Sequence, residues 1–181
     1  MLISVKNRRE IMKIKNLIEN LDREKAIWAS LRIGLGWIML WAFLDKAFGL
    51  GYATASENAW INGGSPTSGF LAFATDGPFS GFFEMLSGVA AVDWLFMIGV
   101  LFIGGALILG IGDKIAGITG AFLMLLMYLS RIPPENNPVL DDHIIYLIVF
   151  VGIATVKPGK WLGLGEWWAN TKLVKRYPFL E

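Results

Sequence analysis

The sequence predicts an all-α integral membrane protein: a bundle of four transmembrane helices with an N-terminal amphipathic helix and an aromatic extracytoplasmic loop. Three observations predict it. Four long apolar runs lie at residues 26–48, 92–111, 115–129 and 143–156. A helix crossing the ~30 Å hydrocarbon core needs about 20 mostly apolar residues. The first two runs reach that length, and the last two do so when their ends are counted and the bilayer thins locally. Hydrophobic residues make up 55% of the chain and the mean hydropathy is +0.54, well above a soluble domain. The segments between the runs alternate in charge sign, as loops on opposite sides of a membrane do.

The arm at residues 1–25 carries Lys6, Arg8, Arg9, Lys13, Lys15, Arg23 and Lys25. Within it Ile11, Ile14, Ile18 and Leu21 recur at helical spacing, with Lys and Glu opposite. That pattern fits an interfacial helix, or equally a solvated arm that only satisfies the positive-inside rule. The first run serves as an uncleaved signal-anchor, since it is too long for the apolar segment of a signal peptide. Residues 47–91 hold no Lys or Arg, only Glu57, Asp76 and Glu84. Within residues 49–91, Trp60, Phe70, Phe73, Phe79, Phe82 and Phe83 sit among Gly, Ser and Pro, which suits an ordered outer cap built of short helices.

The link Gly112-Asp113-Lys114 is short enough to make the second and third runs an antiparallel hairpin. The tail at 157–181 returns to basic residues, with Lys157, Lys160, Lys172, Lys175 and Arg176, and suits a short interfacial helix after the glycines. Both termini are therefore expected in the cytoplasm of a multi-pass plasma-membrane protein. The membrane domain itself spans 26–156. Small residues at Ala106/Gly110, Ala116/Gly120 and Gly117/Ala121 would let helices approach closely in lipid.

The chain contains no cysteine and one histidine, His143. Covalent haem, Cys-ligated iron–sulfur clusters, thiolate nucleophiles and a bis-histidine haem within one chain are excluded. Asp141-Asp142-His143 is a poor metal set, because consecutive helical residues point apart and no second histidine exists. Polar chemistry must come from the ends of the runs. Arg32 and Lys46 lie fourteen residues apart on one helical face, about 21 Å from each other. Either they snorkel to opposite headgroup layers, or this face turns inward and binds an acidic partner or ligand. Lys46, Asp93, Arg131, Asp141, Asp142 and His143 converge on one level at the outer surface. They either complement helix ends, the aspartates before N-termini and the cations at C-termini, or line an anion pocket in which His143 passes protons.

The segment LRIGLGWIMLWAFLDK, with Arg32, Gly36 and Lys46, resembles the opening helix of the DoxX family. MIGVLFIGGALILGIGDKIAGITGAFLMLLMY resembles that family's second and third helices, and PPENNPVLDDHIIYLIVF its fourth. ENAWINGGSPTSGFLAFATDGPF and LVKRYPFL resemble its DoxD-like branch, associated with the large subunit of thiosulfate:quinone oxidoreductase. The resemblance implies a four-helix bundle, oxidation of thiosulfate to tetrathionate with electrons passed to quinone, and a DoxA-like partner subunit. On that basis the catalytic candidates are His143 and Lys46. Arg32, Lys46, Arg131, Asp141, Asp142 and His143 are candidates for binding substrate, and Trp41, Trp94, Tyr128 and Tyr146 for walling a quinone. Where many members of the family carry a Glu early in the second helix, this chain has Val100. A second class of function stays open: a non-catalytic membrane protein that binds lipid or quinone, or scaffolds a partner. A homo-oligomer also stays open, and no nucleic-acid partner is indicated.

Overall fold

The computed structural model describes residues 23–181; the amphipathic stretch expected at 11–21 lies outside them. The fold is helical, and among the described residues the one extended pairing is an isolated bridge between Asp76 and Arg131. Four long helices carry it: α1 (Arg23–Phe48), α4 (Ala90–Leu109), α5 (Asp113–Leu129) and α6 (Asp142–Val156). Each coincides with one apolar run. Two short helices, α2 (Ser68–Phe73) and α3 (Ser80–Glu84), form part of the loop after α1. Another two, α7 (Gly165–Ala169) and α8 (Lys172–Arg176), belong to the tail. The tail thus folds as two short helices where the sequence suggested one, because Asn170 and Thr171 interrupt it and Thr171 caps α8 through Val174 N.

The long helices pack as a ring: α1 on α4, α4 on α5, α5 on α6, and α6 on α1. Leu35 and Met39 of α1, Val100, Ile103 and Leu107 of α4, Ala116 and Met124 of α5, and Phe150 and Ile153 of α6 fill its centre. Val100 is among these buried side chains, so the position holds packing rather than charge. Glycines let helix backbones meet closely at two crossings. A Cβ on Gly104 would lie 2.5 Å from Leu40 N, and one on Gly117 would lie 2.6 Å from Phe150 O. The expected small-residue contacts therefore hold at Gly117 and Gly120, which face Phe150. Gly110 instead ends α4 in the left-handed region, at φ 69°, and Gly112 follows at φ 62°. Two residues of this kind reverse the chain cheaply only when they lack a Cβ, and α5 starts at once as the second arm of the expected hairpin.

Two helices, α1 and α4, are long and apolar enough to cross a membrane. α5 and α6, at 17 and 15 residues, span about 25 Å and 22 Å at 1.5 Å per residue. Arg32 corrects one alternative: it is fully buried, not extended toward a headgroup layer, because its face of α1 (with Leu35, Gly36 and Met39) is the one that packs inward.

The loop at 49–89 is an ordered cap, and two buried aspartates hold it. Asp45 accepts hydrogen bonds from Tyr52 N (3.2 Å) and Ala53 N (2.9 Å). Asp93 accepts from Ser65 Oγ, Thr67 N and Thr67 Oγ1 at 2.9, 3.1 and 2.6 Å. Asp93 therefore lies inside the first turn of α4, rather than before it as expected, and ties down the cap rather than its own helix end.

Replacing Gly104 by Val should destabilise the protein by about 1–3 kcal/mol through overpacking against Leu40. Gly99→Ala, whose added methyl meets open space, should be neutral or slightly stabilising. Thermal unfolding of both variants in mild detergent checks this.

Candidate functional site

The bundle has two polar ends, a tail end where residues 110–113 meet 157–181, and a loop end under the aromatic cap. At the tail end Arg32 projects from α1 onto the last turn of α4. Its Nη1 donates to Leu107 O and, at 3.4 Å, to Ile108 O; its Nη2 donates to Leu162 O of the tail. The final carbonyls of a helix have no intrahelical partner and carry its negative dipole end. A guanidinium, with five donors in a fixed fork, suits such a cluster of acceptors. Gly110 makes room: a Cβ there would lie 2.7 Å from Arg32 Nη1. Arg32 Nε is buried without a partner.

Asp113, the first residue of α5, supplies the countercharge in this region. It is buried; its Oδ2 accepts from Gly159 N at 2.5 Å, and its Oδ1 has no partner. The tail then closes over both groups. Leu164 N donates to Leu109 O at 2.9 Å, satisfying another end carbonyl of α4. A Cβ on Gly165 would lie 2.6 Å from Gly159 C and 2.9 Å from Gly110 O. The glycine-rich tail sequence is thus needed because three backbone segments cross at van der Waals distance. Lys157 Nζ lies 2.6 Å from Glu181 Oε2, Lys160 Nζ pairs with Glu181 Oε1, and Lys114 N donates to Glu181 O at 3.0 Å. Trp168 Nε1 donates to Leu180 O at 2.8 Å. Gly110, Asp113, Lys157, Lys160, Trp168 and Glu181 line a small cleft here.

The loop end contains the remaining predicted residues. Asp141 caps α6 by accepting from Ile144 N at 3.3 Å, and its other oxygen lies 2.7 Å from His143 Nδ1. Partial burial opposes ionisation of Asp141, but hydrogen bonds from His143 and Ile144 outweigh it and hold the carboxyl below its ordinary value. Asp142 is exposed in the first turn. Arg131 is exposed and lies 3.7 Å from Glu135. Lys46, half-buried in the last turn of α1, sits 5.9 Å over the Phe96 ring, and among the described residues no carboxylate lies within ion-pair distance of it. The proposed quinone walls fall into separate contacts. Trp41 packs edge-on against Tyr52, and Trp94 against Trp60. Tyr128 donates to Val139 O at 2.8 Å, and Tyr146 packs on the core.

Of the sequence candidates, then, Asp141 and His143 are joined directly, while Arg32 belongs to a different constellation from the rest. Asp113, Leu162 and Glu181 were missed. Asp113 left a signal: a carboxylate beside a Gly-x-Gly link at the same end as Arg32. Carbonyl acceptors such as Leu162 O leave none. Comparisons of the chain with family models, curated proteins and solved structures give no match.

Hydrogen bonds from Lys157 and Lys160 hold the Glu181 carboxyl below its ordinary value. Its contribution to stability is therefore full above the unfolded value, about 4.3, and is lost as pH falls through the lower folded value. The difference in unfolding temperature between wild type and Glu181→Gln should be clear at pH 7 and shrink below about pH 4.

Proposed function

We propose that the chain is a DoxX-like, four-span protein of the plasma membrane with both termini cytoplasmic. We further propose that it is the membrane-embedded subunit of a quinone-linked sulfur-compound oxidoreductase, acting with a DoxA-like partner. The observation that carries the membrane assignment is the apolar character of the outward faces. Ile27, Trp37 and Ile38 of α1, Leu95, Ile98 and Phe102 of α4, Ile118 and Phe122 of α5, and Ile145, Ile148 and Val151 of α6 are all exposed. A belt of this kind on every long helix is what a lipid solvent selects, and in water it would be an aggregation surface. On this assignment α5 and α6 cross a locally thinned bilayer, and the aromatic cap faces outward.

The redox assignment is supported by the family resemblance of the helices and by two features of the loop end. Lys46 is a half-buried cation without an ion-pair partner among the described residues, suited to an anion such as thiosulfate. The Asp141–His143 pair is an imidazole oriented by a carboxylate, an arrangement suited to relaying protons to a quinone as it is reduced. On this reading two thiosulfate ions would join as tetrathionate, and the two electrons released would reduce a quinone together with two protons. A non-catalytic scaffold role is favoured by one observation: Asp45, Asp93, Asp141 and Arg131 all spend their polar contacts on the chain's own backbone or side chains.

Membranes containing the chain and its partner should reduce quinone when thiosulfate is added, and Lys46→Ala should lower that rate at least about tenfold, the value of one charge-assisted contact. Full activity of the partner without the chain would instead favour the scaffold. Sidedness is read by single cysteines in intact cells: Ser68→Cys should react with an impermeant reagent and Thr171→Cys should not.

A further inference from the structure

We propose that Lys157 and Lys160 form a binding site for an anionic phosphate group, and that Glu181 is the chain's own competing ligand there. The carboxylate of Glu181 is held by both ammonium groups at once, with Lys157 Nζ at 2.6 Å and Lys160 on the other oxygen. Two ammonium groups close enough to share one carboxylate can share a phosphate through the same charge-assisted bonds. The site is concave: the cleft that Glu181 enters is lined by Gly110, Asp113 and Trp168 as well as by the two lysines.

The charges leave room for such a ligand. Asp113 is the second carboxylate of the cleft; Gly159 N and the charge of Arg32 oppose it first, and the charges of Lys157 and Lys160 also act on it. With Glu181 docked, the two lysines hold its carboxylate; with Glu181 displaced, their ammonium groups turn to a phosphate and keep Asp113 as a shared counter-charge. The access is also right, because Lys160 keeps 42% of its side-chain surface in solvent while Lys157 and Glu181 are mostly covered. Apart from the two lysines, Glu181 is tied down through Lys114 N, Pro178 O and the Trp168–Leu180 bond beside it. An incoming phosphate therefore displaces a tail segment, not a core element, and couples ligand binding to release of residues 178–181.

Two sources carry this chemistry. If this end is cytoplasmic, as proposed above, the site lies at the level where anionic lipid headgroups meet basic residues between helices; free inorganic phosphate is the other source. Binding is measured in detergent, so it does not depend on the sidedness of the chain. The purified protein is titrated with short-chain phosphatidylglycerol, short-chain phosphatidylcholine and inorganic phosphate, with native mass spectrometry as the readout. Phosphatidylglycerol should bind more tightly than phosphatidylcholine if lipid is the source, and inorganic phosphate should bind alone if it is not. In either case Glu181→Gln should strengthen binding several-fold by removing the competitor. Lys160→Gln, at an exposed position that the fold tolerates, should weaken it about tenfold. Unchanged or weaker binding by Glu181→Gln, equal affinity of wild type and Lys160→Gln, or no binding of any of the three probes overturns the proposal.

Discussion

A single buried cation holds the tail end of this fold together. Moving an arginine out of water costs several kcal/mol even after relaxation, so Arg32 is tolerable only where its surroundings are built for it. Three elements supply those surroundings: the end carbonyls of α4, the Leu162 carbonyl of the tail, and the Asp113 carboxylate of α5. Each element gains in return. The α4 carbonyls that helix geometry leaves without partners are satisfied, Asp113 has its charge opposed, and the tail is fixed across the bundle. The constraint propagates into sequence as glycine. Positions 110, 159 and 165 have no space for a Cβ, because the guanidinium and two backbones occupy it.

The loop end uses the opposite polarity for the same purpose. Asp45 and Asp93 are buried carboxylates that accept backbone and hydroxyl donors from the cap, at the ends of α1 and α4 that face it. A cap rich in exposed aromatic and aliphatic groups, including Phe73, Phe82 and Met85, cannot rely on burial alone to fix its position. Carboxylate anchors give it a register. The bundle is thus closed at one end by a buried cation with its counter-aspartate and at the other by buried aspartates, with an apolar ring between them.

Much of this was legible in the chain. Apolar runs located all four long helices to within three residues, and the short Gly112-Asp113-Lys114 link announced the hairpin. The inward direction of Arg32 was readable only as one of two options, because helical spacing shows which residues share a face but not what the face meets. Asp141 as a cap followed from its place before an apolar run. Asp45 and Glu181 could not be found this way. Their partners are backbone amides of a loop seven and eight residues on and two lysines more than twenty residues upstream, and neither kind of pairing leaves a periodic trace. The small-residue pattern succeeded at Gly117 and Gly120 and misassigned Gly110, since close packing and a left-handed turn select the same residue for different reasons.

The centrality of Arg32 is measured most directly by a double-mutant cycle between Arg32→Met and Asp113→Asn, followed by reversible unfolding in mild detergent. Arg32→Met alone should cost about 3–5 kcal/mol, since it removes the largest of the charges opposing buried Asp113 and strips donors from three carbonyls. In the Asp113→Asn background the same change should cost less by at least about 1 kcal/mol, the signature of two groups in one network. Additive effects, or an Arg32→Met protein as stable as wild type, would contradict the account.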